Sequence, residues 1–192
     1  MDSSSPADAV TGIGSSALMS AMFGAGWLGW GLGSAKAFNG FVGPTFGFTA
    51  LFLFACSIHF IRKGRTLRKQ SVAADDSTRQ SIRRWFALIV LIEVLAIALA
   101  TIVANRLHRA DLATDWCATI VGLHFLPLAK LFRSLQFGVL GILMVLWCVL
   151  SWWLFPSSAL AMSVSLGTGI LLWGNCIASL FRVRRIAQST GS

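Results

Sequence analysis

The most constraining feature of this chain of 192 residues is a series of long apolar runs that contain almost no charged side chains. The first run, 9–35, contains no charged residue, and a helix needs about 20 apolar residues to cross the hydrocarbon core of a membrane. Only 12% of all residues are charged, whereas a typical soluble domain carries about 25%. We therefore expect an integral membrane protein.

Six such runs follow one another, separated by short polar or basic segments. Their length predicts helices, because the strands of a membrane barrel would alternate apolar and polar residues over about ten positions. We expect an all-α bundle of six transmembrane helices that forms one domain over residues 1–192. The predicted spans are about 15–35, 43–61, 85–104, 116–133, 137–155 and 159–181, and the tail 186–192 is predicted to be disordered.

The basic residues predict the orientation of these spans. The segments 62–84, 130–133 and 182–185 hold eight, two and three of the 16 Lys and Arg residues. Since positively charged loops remain in the cytoplasm, both termini are predicted to be cytoplasmic, in a bacterial cytoplasmic membrane. The basic loop 62–84 is also predicted to bind anionic lipid headgroups. Nucleic-acid binding is not expected, because no aromatic residues alternate with the charges to stack on bases.

Three polar side chains interrupt the apolar runs: Glu93 in the third span, His124 in the fourth and Asn175 in the sixth. At 1.5 Å per residue, each lies roughly 10–13 Å from the cytoplasmic end of its span. A charge at the bilayer centre costs about 2.5–3.5 kcal/mol on insertion scales, so Glu93 is expected to be protonated or paired. His124, on the adjacent antiparallel span, is the predicted partner.

Two interpretations of the predicted pair stay open. The side chains either form a titrating pair in a proton or substrate pathway, with Asn175 as a neighbour, or they form a polar contact that holds the helices together. Pro127 adds a predicted helix break near Gly122, because proline lacks a backbone N–H and crowds the carbonyl four residues before it. Interrupted helices commonly border the binding sites of transporters.

The stretch Gly122-Leu-His124-Phe-Leu-Pro127-Leu, followed by Lys130-Leu-Phe132-Arg133, resembles a signature of small bacterial multi-span membrane proteins of unknown function. The resemblance implies about six helices, and it implies that Gly122, His124 and Pro127 belong to one unit. It implies no substrate.

The first span carries small residues at every fourth position, which predicts a smooth groove for close helix packing. These residues are Ala17, Ala21, Ala25, Gly29, Gly33 and Ala37. The groove is the predicted contact surface for a second copy of the chain or for another membrane protein.

The leading functional hypothesis is a small proton-linked transporter or permease that uses Glu93, His124 and Asn175. The alternative is a membrane scaffold or a small subunit of a complex that docks through the first span. An enzyme is not expected, because the spans contain no HExxH, GxSxG or paired aspartates. No metal or cofactor is expected either, since the four cysteines do not form CxxC pairs.

Overall fold

The computed structural model describes residues 6–68, 76–132 and 134–189, and every regular element in these ranges is a helix. The prediction of an all-helical chain is confirmed for this part of the protein. The six helices are α1 Pro6–Ser34, α2 Val42–Arg68, α3 Asp76–Arg106, α4 Ala110–Leu131, α5 Leu135–Leu154 and α6 Ser157–Ser189.

Most helices extend beyond the apolar runs that predict them. An apolar run marks only the length of helix inside hydrocarbon, whereas backbone hydrogen bonding continues into the polar flanks. Helix α6 reaches Ser189 and so includes the first residues of the segment 186–192, for which disorder is predicted. Residues 190–192, and residues 69–75 of the predicted basic loop, lie outside the described ranges.

Five of these helices, α2 to α6, contain stretches of 20–30 residues that are apolar enough to cross a membrane. They indicate a multi-span membrane protein. Helix α1 has 29 residues and is also long enough, but its glycines, serines and tryptophans lower its hydropathy. Its role as a sixth span therefore stays a prediction, as does the cytoplasmic placement of both termini.

The contacts between residues divide the chain into two compact units. Unit 1 comprises the described parts of Met1–Gly26, Ala37–Ala73 and Leu172–Ser192. Unit 2 comprises the described parts of Trp27–Lys36 and Ala74–Leu171. The expected single domain stays a prediction.

Unit 1 combines the first part of α1, helix α2 and the last part of α6. Small side chains let these helices approach closely, as Ala17 and Ala21 pack with Leu53 and Cys176 in one buried cluster. Trp173 closes this cluster, and its indole N–H donates a hydrogen bond of 3.2 Å to the backbone carbonyl of Ala21.

Unit 2 contains all of α3, α4 and α5, together with the end of α1 and the beginning of α6. Helix α4 packs against α3 and against α5, so it is the middle helix of these three. The short connections on both sides of α4 make it antiparallel to its two neighbours. A buried core joins α4, α5 and α6, and its residues are Leu112, Ala118, Cys148, Leu160 and Val164. Trp27 and Trp116 pack at its margin.

Candidate functional site

Two residues of α4, Gly122 and His124, lie on opposite sides of the helix, because residues two positions apart are rotated by about 200° around the helix axis. Gly122 faces α5: a Cβ added there would lie 3.0–3.2 Å from Val145, Met144 and the carbonyl of Gly141. Glycine thus allows a close approach of α4 to α5 at this level. The same geometry points the His124 side chain the other way, towards α3.

Glu93 and His124 meet across the interface between α3 and α4. The distance from Glu93 Oε2 to His124 Nδ1 is 3.2 Å, and the two side chains are 15% and 8% exposed. The imidazole also faces the backbone of Ile89, about one turn before Glu93 on α3. The residues before and after Glu93, Ile92 and Val94, are exposed on the outside of the helices. Helix α4 therefore covers only the face of α3 that carries Glu93.

The contact is close, but its atoms are not aligned as a hydrogen bond, and Nδ1 of His124 has no aligned partner in the structure as described. The pair can hold one shared proton, either as carboxylate with imidazolium or as carboxyl with neutral imidazole. A small rotation of either side chain would align an N–H···O or O–H···N bond. The arrangement is therefore able to bind and release a proton.

The pair lies far from both ends of α3. Glu93 is the central residue of the apolar stretch Gln80–Arg106, with about 20 Å of helix on either side of it. Water at the ends of the helix therefore does not reach Glu93 directly along α3. Exchange of a proton at this depth requires a path through the protein.

Four phenylalanines contact one another in sequence near the end of unit 2 where α3 begins and α4 ends. Ring centroids are 6.1 Å apart for Phe86 and Phe132, 6.0 Å for Phe132 and Phe137, and 5.8 Å for Phe125 and Phe137. We call these residues the phenylalanine cluster. Phe86 and Phe132 lie roughly 10–12 Å along their helices from Glu93 and His124.

Pro127 lies inside α4, which continues to Leu131. The missing N–H of proline removes one bond to the carbonyl of Leu123, while the following turn retains its helical bonds. Phe132, for example, donates to the carbonyl of Leu128 at 2.9 Å. The helix thus passes through the predicted break, and Gly122 serves the contact with α5.

Asn175, the third predicted residue, belongs to unit 1, whereas Glu93 and His124 belong to unit 2. Its amide Nδ2 donates a hydrogen bond of 2.8 Å to Ser20 Oγ, and both residues are buried. This bond joins α6 to α1. The role of Asn175 in a pathway stays a prediction.

The predicted groove on α1 is only partly covered. Ala21 is fully buried, Ala25 and Gly29 are partly buried and Gly33 is exposed. A spacing of four residues rotates by about 40° per step, so such a row turns away from any straight contact. Apart from Ser20, the positions described as buried instead alternate steps of four and three residues: Val10, Gly14, Ala17, Ala21, Gly24, Leu28 and Gly31.

Asp115 lies just before the fourth span that the sequence predicts, 116–133, but the structure places it inside a helix. Helix α4 begins at Ala110, and Asp115 is 5% exposed within it. The available signal was helical spacing: Asp115, Thr119 and Gly122 follow at steps of four and three residues, and so share the face that packs on α5.

A cavity of about 380 Å³ is lined by Gln80, Ser81, Arg84, Trp85 and Leu88 near the beginning of α3. Within the described ranges, His, Cys, Asp and Glu side chains do not assemble in groups of three or more that would suit a metal ion.

Comparison with protein-family models, with curated proteins and with solved structures finds no match to this chain. Any assignment of function therefore depends on the geometry of the described residues.

Proposed function

We propose that this chain is a small proton-linked transporter of a bacterial cytoplasmic membrane and that Glu93 and His124 carry its proton. The observation that supports this most is the distance of 3.2 Å between Glu93 Oε2 and His124 Nδ1 across the interface of α3 and α4. Ionisable residues inside membrane spans are rare, and pairs of them commonly serve as proton relays.

The chemistry of the two side chains favours transport over a purely structural contact. Both groups are ionisable, and Glu93 Oε2 lies 3.2 Å from His124 Nδ1, so a small rotation lets one proton pass between them. A structural contact between membrane helices needs no ionisable group, since Ser, Thr, Asn and Gln side chains also form such contacts.

The phenylalanine cluster is the proposed gate between the pair and the end of unit 2 that carries Arg84 and Lys130. Its four rings are apolar, so a proton or substrate passes only when they move apart. Phe125 adjoins His124 directly, with ring centroids 6.0 Å apart. A rotation of Phe125 would thus open the gate and, at the same time, change the surroundings of the Glu93–His124 pair.

Asn175, Gly122 and Pro127 have supporting roles in this proposal. Gly122 holds α4 against α5 and Pro127 removes a backbone hydrogen bond near the gate. Asn175 is proposed as a hydrogen-bonding neighbour of the pathway. We also propose that this chain is related to the small bacterial membrane proteins that the segment 122–128 resembles.

The basic ends of the helices are proposed to lie in the cytoplasm and to contact anionic lipid headgroups. Arg84 and Trp85 line the cavity at the beginning of α3 together with Gln80 and Ser81. Guanidinium and hydroxyl donors beside an indole suit a lipid phosphate at the membrane interface. This surface orients α3 so that Glu93 lies near the middle of the bilayer.

A membrane scaffold or small subunit is the alternative, and it has less support. The small residues that would form its docking groove are partly used within the chain, since Ala17 and Ala21 pack against Leu53 and Cys176. Gly33, at the exposed end of the row, is the proposed contact for a second copy or a partner in this alternative.

Proton flux in reconstituted vesicles tests the transporter. Liposomes that contain the protein and a trapped pH indicator receive an imposed pH gradient, with and without an external extract of small metabolites. The wild type is expected to dissipate the gradient faster than protein-free liposomes in at least one condition. Glu93→Gln and His124→Ala are each expected to lose most of this flux while retaining a measurable rate above that of protein-free liposomes.

Thr101→Val is the matched control for these two variants. Thr101 lies at the same interface, where its hydroxyl is 3.9 Å from Cys117 Sγ, and it donates to the carbonyl of Ile97. The substitution preserves shape and removes no ionisable group, so wild-type flux is expected. Wild-type flux in both pair variants, or no wild-type flux above protein-free liposomes, would show that the proposal is wrong.

A further inference from the structure

A second carboxyl group is buried in unit 2, on the face of α4 that packs on α5. Asp115 is 5% exposed, and its Oδ2 accepts a hydrogen bond of 2.9 Å from Nε1 of Trp152. The other oxygen, Oδ1, is fully buried and has no hydrogen-bond partner in the described structure. An ionised Asp115 would therefore offer one oxygen to a neutral donor and the other to no donor.

The groups of α4 and α5 that face Asp115 supply no positive charge. From α5 they are the neutral indole of Trp152 and the thiol of Cys148. The thiol also interacts with Thr119, which lies one turn after Asp115 on α4. Among the described residues, no lysine, arginine or histidine pairs with this carboxyl group.

The remaining elements around α4 do not supply a counter-charge either. Helix α6 and the end of α1 add apolar side chains to the adjoining core, namely Leu160, Val164 and Trp27. Helix α3 packs on another face of α4, since Cys117, which meets Thr101 of α3, is rotated by about 200° from Asp115. The basic residues nearest in the sequence are exposed at the end of α3 and in the following connection: Arg106, His108 and Arg109.

We propose that Asp115 binds a proton in the native state and releases it on unfolding, so that the packing of α4 against α5 depends on pH. A buried charge without a counter-charge costs far more than a buried neutral polar group, so such a group becomes neutral. One proton on Oδ1 removes the charge and leaves Oδ2 to accept the indole N–H. The site thus needs no ion and no further ligand.

This inference does not depend on the proposed transport, because it concerns a residue outside the Glu93–His124 pair. Infrared spectra of the protein in a detergent without ester groups test it, because a protonated carboxyl has a carbonyl band that a carboxylate lacks. Both compared proteins carry Glu93→Gln, which removes the other carboxyl inside an apolar stretch. The spectrum of Glu93→Gln minus that of Glu93→Gln/Asp115→Asn, near pH 7, is expected to contain this acid band and no carboxylate bands.

Two tryptophan variants assign the acid band to its environment. Trp152→Phe removes the hydrogen bond to Oδ2 and is expected to raise the frequency of the band, because a carbonyl that accepts no hydrogen bond is stiffer. Trp153→Phe is the matched control, since Trp153 is the next residue of α5 and is 85% exposed. It is expected to leave the frequency unchanged.

Unfolding at several pH values measures the bound proton independently. The unfolded chain exposes Asp115 to water, where an aspartate is ionised above about pH 4. Unfolding then releases the proton, and stability that depends on a bound proton falls as pH rises. Relative to Asp115→Asn, the unfolding equilibrium constant of the wild type is expected to increase by up to about tenfold per pH unit above that value.

Each outcome decides the proposal. Carboxylate bands in place of the acid band would overturn it, because an ionised Asp115 would then be compensated by water or a cation. The same pH dependence of stability in the wild type and in Asp115→Asn would also overturn it. If Asp115→Asn does not fold, the tryptophan variants still decide: an acid band at the same frequency in Trp152→Phe and Trp153→Phe contradicts the site.

Discussion

The close contact between α4 and α5 can be tested by adding one methyl group at Gly141. A Cβ at this position would lie 2.5 Å from the carbonyl oxygen of Gly122 and 3.0 Å from Cβ of Phe125. Backbone atoms cannot rotate away as a flexible side chain can. Alanine at position 141 therefore has to push the two helices apart.

Gly138, about one turn earlier on α5, provides the matched control. A Cβ there would lie 3.5 Å from Cβ of Ala129, which is an ordinary van der Waals distance. Both substitutions gain the higher helix propensity of alanine, up to about 1 kcal/mol, so this contribution largely cancels between them. Overpacking of a well-packed interface costs about 1–3 kcal/mol. We therefore expect Gly141→Ala to be less stable than Gly138→Ala by about that amount.

Reversible unfolding in mixed micelles, followed by circular dichroism, measures the free energy of unfolding of both variants. Gly138→Ala is expected to match or exceed the wild type, and Gly141→Ala is expected to fall below it. Equal stability of the two variants would refute the close approach of α4 and α5 at Gly122.

Two further predictions concern unit 1 and the orientation of the chain. Ser20→Ala removes the acceptor of the Asn175 amide. In the same unfolding assay it should lower the free energy of unfolding by about 0.6–1.7 kcal/mol, as for other hydrogen bonds between membrane helices. Unchanged stability would contradict the bond. Single cysteines at Asn39 and His108, in a cysteine-free chain, should react with a membrane-impermeant maleimide in intact cells, whereas a cysteine at Arg184 should react only after permeabilisation. The reverse pattern would invert the predicted topology.

The helices could be predicted from the sequence because each depends on the length of its own apolar run. The predicted span 137–155 and the observed Leu135–Leu154 differ by two residues or fewer at each end. The level of Glu93 relative to His124 could also be deduced, since rise per residue is fixed and the connection between α3 and α4 is short. These properties are local, and the sequence determines them without knowledge of the other helices.

Asp115 shows where local reasoning fails. An aspartate beside other polar residues is typical of a loop, but the structure buries Asp115 inside α4, where the Trp152 indole of α5 donates a hydrogen bond to it. That partner lies 37 residues away in the sequence. The buried face of α1 differs from the predicted groove for another reason. The prediction used small residues alone, whereas the buried stripe of α1 also includes the larger Leu28.

A double-mutant cycle of proton flux tests the central claim most directly, namely that Glu93 and His124 act as one unit. Glu93→Gln, His124→Ala and the double variant are compared with the wild type in the same vesicles. Groups that act together lose their function together, so the double variant is expected to be no slower than the slower single variant. Losses that multiply in the double variant would contradict the claim, because they would show two independent contributions.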